Sequence, residues 1–209
     1  ENGPWQVRTH LDLDGWYEVL APEDTDVWVN GVLLAPEEAD TTLAPAYAGL
    51  PETVSGPQMT LYRVTGVLGE PDVTAESENG RCAVEQSDPE EGEDAPLGVY
   101  TVLLKPDKKT AETYKSLAQK AAETYATFIS RDTDRSVMLA QLIYGSEFHK
   151  RVASYNNIWY AEHTSHEFED LEITELLCYG ENAFTCHVSF TYKVSRSGGR
   201  ENEYPSQYD

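Results

Sequence analysis

The densest group of side chains that could do chemistry is the run His163-Thr164-Ser165-His166-Glu167. A zinc site requires imidazoles and a carboxylate that converge from one face. The order H-x-x-H-E is not the H-E-x-x-H order of zinc proteases, and the run leads into a predicted strand. The sequence alone therefore favours exposed loop histidines, and it predicts no metal ligand.

The acidic run at 88–94, DPEEGED, is a second candidate, because calcium prefers several carboxylate oxygens. It lacks the alternating D-x-D-x-D spacing of an EF-hand loop, so a solvated loop is the preferred interpretation. The sequence contains no G-x-S-x-G nucleophile elbow and no glycine-rich phosphate loop. We therefore predict no catalytic residue and no cofactor.

The three cysteines leave two interpretations open. Cys178 and Cys186 lie on the two arms of a predicted hairpin, where a three-residue loop would set them directly opposite each other. A cross-strand disulfide is one alternative, and a pair of buried thiols is the other. Cys82 is expected to be unpaired.

Helices and a long hairpin are predicted for the second half of the chain. From Thr110 to Asp132, apolar residues recur three or four apart, which predicts a helix with one apolar face. A second helix is predicted at 135–154, with a kink or break at Gly145. The segments 166–179 and 183–196 alternate apolar and polar residues, which is typical of a half-buried antiparallel hairpin.

The first half reads as short strands separated by turns. Val27 to Leu34 places Asn30-Gly31 between β-forming residues, the dipeptide that a type I′ hairpin turn favours. Almost no helix is predicted before Pro106. We therefore predict a small β-sandwich-like module at 1–106 and a second, α+β domain at 107–209.

Composition limits the partners. The chain has 37 acidic and 15 basic residues, for a formal net charge of −22. This charge disfavours nucleic acid as well as adhesion to anionic lipid. No segment approaches the ~20 apolar residues of a membrane span.

The order of elements after residue 107, two helices followed by a long hairpin, resembles the NTF2-like, or cystatin-like cone, family. The resemblance implies a long helix lying across a curved antiparallel sheet with a cavity between them. The family usually continues with a further long strand. Since the sequence stops at Asp209, two alternatives remain open: that strand is absent, or the domain is truncated and the strand lies outside this piece. The full expectation is an α+β chain with a sandwich-like module before this domain.

The first half is similar to small β-modules on the outside of Gram-positive bacteria. The matching residues are Tyr17 to Pro22 and the Val27-Trp28-Val29-Asn30-Gly31 hairpin. Together with an NTF2-like domain, this pattern resembles membrane-anchored surface proteins of the TcaA-like kind. The resemblance implies an extracellular location, with the anchoring segment upstream of Glu1.

The NTF2-like resemblance also implies which side chains line a cavity. Glu175 is the nearest acidic candidate for the interior, in register with Leu171 and Ile173. The alternative is that the aromatic residues only form core. The cavity-lining candidates are Tyr125, Phe128, Tyr144, His149, Tyr160, Glu175, His187 and Tyr192.

Three functions remain open at this point. The first is a non-enzymatic surface module that binds or senses an unknown protein or small molecule. The second is an enzyme of the isomerase or dehydratase type, which would need a buried acid or base in the cavity. The third is a structural module that forms a homodimer through the open face of its sheet.

Overall fold

The computed structural model describes residues 15–78, 80–89, 92, 95–155, 162–180 and 183–209. Three α-helices are present in these ranges: α1 (Lys108–Ser130), α2 (Arg135–Leu139) and α3 (Glu147–Ser154). The strands are β1 (Trp16–Pro22), β2 (Thr25–Val29), β3 (Val32–Leu33), β4 (Asp40–Leu43), β5 (Gln58–Thr65), β6 (Val73–Ser77), β7 (Arg81–Ser87), β8 (Gly98–Lys105), β9 (Ser165–Cys178), β10 (Phe184–Arg196) and β11 (Arg200–Tyr208).

One mixed sheet of eight strands crosses both halves of the chain. Its order is β11-β10-β9-β8-β1-β5-β4, with β7 also paired to β8. Strand β8 pairs in parallel with β1 and meets β9 at Leu104 opposite Cys178. The predicted fold class, a separate sandwich followed by an NTF2-like domain, is therefore wrong. Whether 1–106 and 107–209 are separate domains stays a prediction.

A smaller sheet, of order β3-β2-β6, packs on the large sheet in the first half. The core between the two sheets joins Val27 and Val29 of β2 to Val19, Tyr62 and Val102 of the large sheet. The β2–β3 turn has the predicted hairpin geometry, because Asn30 and Gly31 both have positive φ, 50° and 78°. The Asn-Gly prediction is confirmed.

Helix α1 begins two residues earlier than predicted, because Asp107 caps it. The Asp107 carboxylate accepts hydrogen bonds from the backbone N–H groups of Lys109 and Thr110, at 2.7 and 3.1 Å. Its inner face then packs on β10, where Ala122 and Ala126 contact a buried cluster. The β10 members of that cluster are Val188, Phe190, Tyr192 and Val194. The predicted packing of this helix on the hairpin is confirmed.

Two bulges bend the sheet beneath α1. The β9–β10 register shifts twice, and β9 has one extra residue at each shift. Asp170 and Glu175 lie within the two shifts. Both have positive φ, 55° and 53°, which is uncommon for a residue with a Cβ. Bulges increase the local twist and bend of a strand. We therefore expect the sheet to bend at these two positions of β9.

The predicted second helix is broken, as expected. Residues 140–146 separate α2 from α3, and Gly145 has a φ of 83°. Ser146 then caps α3 by accepting a hydrogen bond from the backbone N–H of His149, at 3.1 Å. The break turns α3 back, so that its Val152 packs against Phe128 of α1.

The outer face of the β9–β11 segment is polar. Lys193 lies within 3.5 Å of carboxylate oxygens of Glu167, Glu169 and Glu201. Its neighbours on the same face of β10 are the hydroxyl residues Ser189, Thr191 and Ser195. No helix in the described ranges is both long and apolar enough to cross a membrane.

Candidate functional site

An apolar groove of about 1110 Å³ lies between α1 and the β10–β11 end of the large sheet. Small side chains of α1 line one side of it, and β10, β11, the α2–α3 region and the segment at Ala46 and Tyr47 supply the rest. The principal apolar lining residues are Ala118, Ala121, Ala122, Leu142, Val188 and Tyr208.

Alanines on α1 explain why the groove exists. Ala126 is fully buried and holds the helix against β10. One and two turns earlier, Ala122 and Ala118 continue the same face with equally small side chains. Because they do not fill the space between helix and sheet, the groove opens beside these turns.

Aromatic rings close one end of the groove. The Tyr125 ring lies 5.3 Å from the ring of Phe148 and 5.7 Å, edge-on, from that of Tyr208, measured between centroids. Burial raises the pKa of both tyrosine hydroxyls above the ordinary value. This wall therefore stays uncharged at neutral pH.

The polar groups of the groove lie mostly at its rim. They include Lys120, Gln141, Thr185, Gln207 and Asp209, in addition to the tyrosine hydroxyls and the Cys186 thiol of the lining. Asp209 is 95% exposed, and its carboxylate lies 2.7 Å from His187 Nδ1. The lining formed by the described residues therefore contains no buried ionised group.

Among the predicted cavity residues, Tyr125 does line the groove. Several of the others lie elsewhere. Phe128 is only 2% exposed and packs with Met138 and Val152 as core. Tyr144 is 84% exposed and lies edge-on against His149, which is outside the groove lining.

The polar candidates are also displaced from the predicted interior. Glu175 is exposed, because the bulge on β9 turns it outward. His187 pairs with Asp209 beside the groove. Tyr192 lies under the C-terminal end of α1, and Tyr160 falls outside the described residues.

The cysteines are free thiols and are not directly opposed. Cys178 pairs with Phe184 in the hairpin register, two residues before Cys186. The five-residue connection 179–183, longer than the three residues assumed, causes this offset. Burial raises the pKa of the Cys178 thiol to about 11. Burial also raises the pKa of Cys82 and Cys186.

A second cluster of polar groups lies beyond the C-terminal end of α1. The Asp132 Oδ2 atom lies 2.9 Å from His163 Nε2 and 3.6 Å from His166 Nδ1. The His163 side chain is only 4% exposed, so the prediction of an exposed loop histidine is wrong for this residue. A bend at Thr164, whose N–H donates to Ser195 O at 2.8 Å, directs both rings to the same carboxylate.

Two hydroxyl groups hold the Asp132 carboxylate in place by hydrogen bonds. Oδ2 of Asp132 accepts hydrogen bonds from Ser130 Oγ at 2.7 Å and from the Tyr192 hydroxyl at 3.1 Å. Burial opposes ionisation of Asp132, but these bonds and the neighbouring His163 outweigh it and lower its pKa. Burial, together with Asp132, raises the pKa of Tyr192 to about 12, so its hydroxyl stays a donor.

Sequence reasoning identified His163 and His166 but missed Asp132 as their partner. Asp132 lies 31 residues before His163 in the sequence. The two side chains meet only because the chain returns to the end of α1 just before β9 begins. Comparisons of the chain with family models, curated proteins and solved structures found no match.

Proposed function

We propose that this chain is a non-enzymatic binding module of the bacterial cell surface, and that the groove beside α1 holds a small molecule with an apolar body. The observation that carries the proposal is the groove itself. Its volume of about 1110 Å³ slightly exceeds the roughly 300–1,000 Å³ of typical ligand sites. Its lining has the expected character too, an apolar wall with few polar groups.

The polar rim indicates how such a molecule would be oriented. An apolar chain would lie along Ala118, Ala122 and Val188, while a polar head group would reach Gln141, Gln207 or solvent. Exposed Lys120 is the one cation in the described lining, so it is the group that would pair with an anionic head group. A fatty acid has both features.

Binding fits the groove better than catalysis does. An isomerase or dehydratase would need a buried acid or base, and the only carboxylate in the described lining is the exposed Asp209. Dimerisation through the open sheet face has no specific support either, because that face carries Lys193 and hydroxyl residues.

The location part of the proposal derives from the resemblance of the first half to Gram-positive surface modules. The V-x-V-N-G hairpin that carries the resemblance has the expected turn geometry at Asn30 and Gly31. An acidic, highly charged surface suits a soluble module tethered outside the cell by an anchor beyond this chain.

Titration with a fluorescent long-chain fatty acid tests the binding proposal, with unlabelled fatty acid as competitor. Ala118→Trp would fill the middle of the groove, and Ala121→Trp would obstruct its exposed mouth. We expect each variant to weaken binding at least tenfold, about 1.4 kcal/mol. The matched control is Ala153→Trp on α3, an exposed alanine outside the groove, which should bind as the parent does.

Circular dichroism and cooperative unfolding verify that each variant is folded. Ala121 is exposed, so its variant tests the groove even if Ala118→Trp does not fold. If the parent chain binds no fatty acid, or if the groove variants and Ala153→Trp bind it equally well, the proposal is wrong.

A further inference from the structure

The cluster beyond α1 has the composition of a transition-metal site. Two imidazole nitrogens and one carboxylate oxygen, from His163, His166 and Asp132, all lie within 4.8 Å of one another. Imidazole nitrogen combined with a carboxylate favours zinc and similar first-row ions over magnesium or calcium, which prefer oxygen ligands.

The spacing of these atoms fits a shared ion. Metal–ligand bonds of about 2.1 Å, at tetrahedral or octahedral angles, place neighbouring ligand atoms roughly 3.0–3.4 Å apart. The carboxylate oxygen of Asp132 lies 2.9 Å from His163 Nε2 and 3.6 Å from His166 Nδ1. Small side-chain rotations would therefore bring all three atoms to bonding distance of one ion.

The carboxylate is held in place by its surroundings. Asp132 follows the left-handed cap residue Arg131 of α1, and its backbone N–H donates to Thr127 O at 2.8 Å. Ser130, which is fully buried, and Tyr192 donate to Oδ2. Such outer hydrogen bonds orient the ligating carboxylate in metal sites.

The second oxygen of Asp132, Oδ1, is not used by these bonds. The bonds from Ser130 and Tyr192 and the contact with His163 all end on Oδ2, so a small rotation of the carboxylate would let either oxygen serve as the ligand atom.

We propose that Asp132, His163 and His166 bind one divalent transition-metal ion of the zinc type. Three protein ligands leave at least one coordination position for water or another ligand. The ion would join the end of α1 to the start of β9, two segments that are distant in sequence. This inference is independent of the groove, which involves none of the three ligands.

Calorimetric titration of the EDTA-treated and dialysed chain with ZnCl₂ tests the site, in a buffer that does not chelate metal. We expect one ion per chain with micromolar or tighter affinity, and no binding of Mg²⁺. His166→Gln should weaken zinc binding by at least the roughly 10–100-fold that follows loss of an outer hydrogen bond. This variant keeps the hydrogen bonds of Ser130, His163 and Tyr192 to Asp132, so its fold should be preserved.

The matched control is His187→Gln. His187 also lies against a carboxylate, that of Asp209, at 2.7 Å, but the described residues provide no third ligand there. Its variant should bind zinc as the parent does. Substitution with Co²⁺ provides a second readout, because its visible absorption reports nitrogen ligation and coordination number.

Three results would overturn the proposal: no zinc binding by the parent chain, an unchanged affinity in His166→Gln, or an equal loss in His187→Gln. The first would leave the cluster as a hydrogen-bonded His–Asp pair. The other two would assign the bound zinc to a different place.

Discussion

Replacing Ala126 with leucine tests the contact on which the whole second half depends. Ala126 is fully buried where α1 meets β10, and its neighbours Val188, Phe190 and Tyr192 are each 3% exposed. Leucine adds three carbon atoms at a position that is fully buried in a core cluster. Helix propensity changes by only a few tenths of a kcal/mol, so packing determines the result.

Overpacking of a close-packed core costs about 1–3 kcal/mol. For a chain of this size each kcal/mol lowers Tm by roughly 2–4 °C, so the expected decrease for Ala126→Leu is about 2–12 °C. Urea unfolding followed by far-ultraviolet circular dichroism gives the free energy directly, and an unchanged m-value would show that the unfolding transition is the same.

Ala121→Leu is the matched control, because it makes the same change on the same helix at an exposed position. Its free energy of unfolding should stay within about 0.5 kcal/mol of the parent. The packing of α1 on β10 would be refuted if Ala126→Leu were as stable as the parent. Equal losses in the two variants would also refute it.

Two further predictions follow from burial. Phe128→Ala should lower the free energy of unfolding by about 3–5 kcal/mol, because Phe128 is 2% exposed and packs against Met138 and Val152. Tyr144→Ala, at an 84% exposed site, should change the free energy of unfolding by less than about 0.5 kcal/mol. Denaturant titration of both variants checks this, and similar losses would contradict it. Cys178 should react with iodoacetamide more slowly than Cys82 or Cys186 in the native chain at neutral pH, because it is 5% exposed and burial raises its pKa to about 11. Because the pKa of the Cys178 thiol is raised in the folded chain, burial of the neutral thiol contributes fully to stability below the ordinary thiol pKa of about 8.5. This contribution is lost as the pH rises to about 11. Peptide mapping by mass spectrometry measures the labelling rates, and preferential labelling of Cys178 would contradict the burial.

Local signals in the sequence predicted the elements well. The apolar period of α1, the alternation along β10 and the Asn30-Gly31 turn each depend on residues within a few positions of one another. So does the break at Gly145. Periodicity and turn chemistry are local properties, and they can therefore be recognised without knowledge of the fold.

Pairing between distant strands was not predictable in the same way. Nothing local to β8 indicates that it joins β1 in parallel and also meets β9. The bulges at Asp170 and Glu175 are equally hidden, because neither is the glycine that usually marks a positive φ. For Glu175, the bulge reversed the predicted direction of the side chain.

The two candidate sites show the same division between local and distant information. The groove follows from a local feature, the alanine face of α1, although its partners on β10 and β11 had to be supplied by the fold. The histidine cluster depends on a feature that is distant in sequence, because its carboxylate comes from Asp132, 31 residues before His163. A histidine pair near a strand start is therefore weak evidence by itself. The pair becomes a candidate site only because the Asp132 carboxylate, at the end of α1 and hydrogen-bonded by Ser130 and Tyr192, lies close to both imidazole rings.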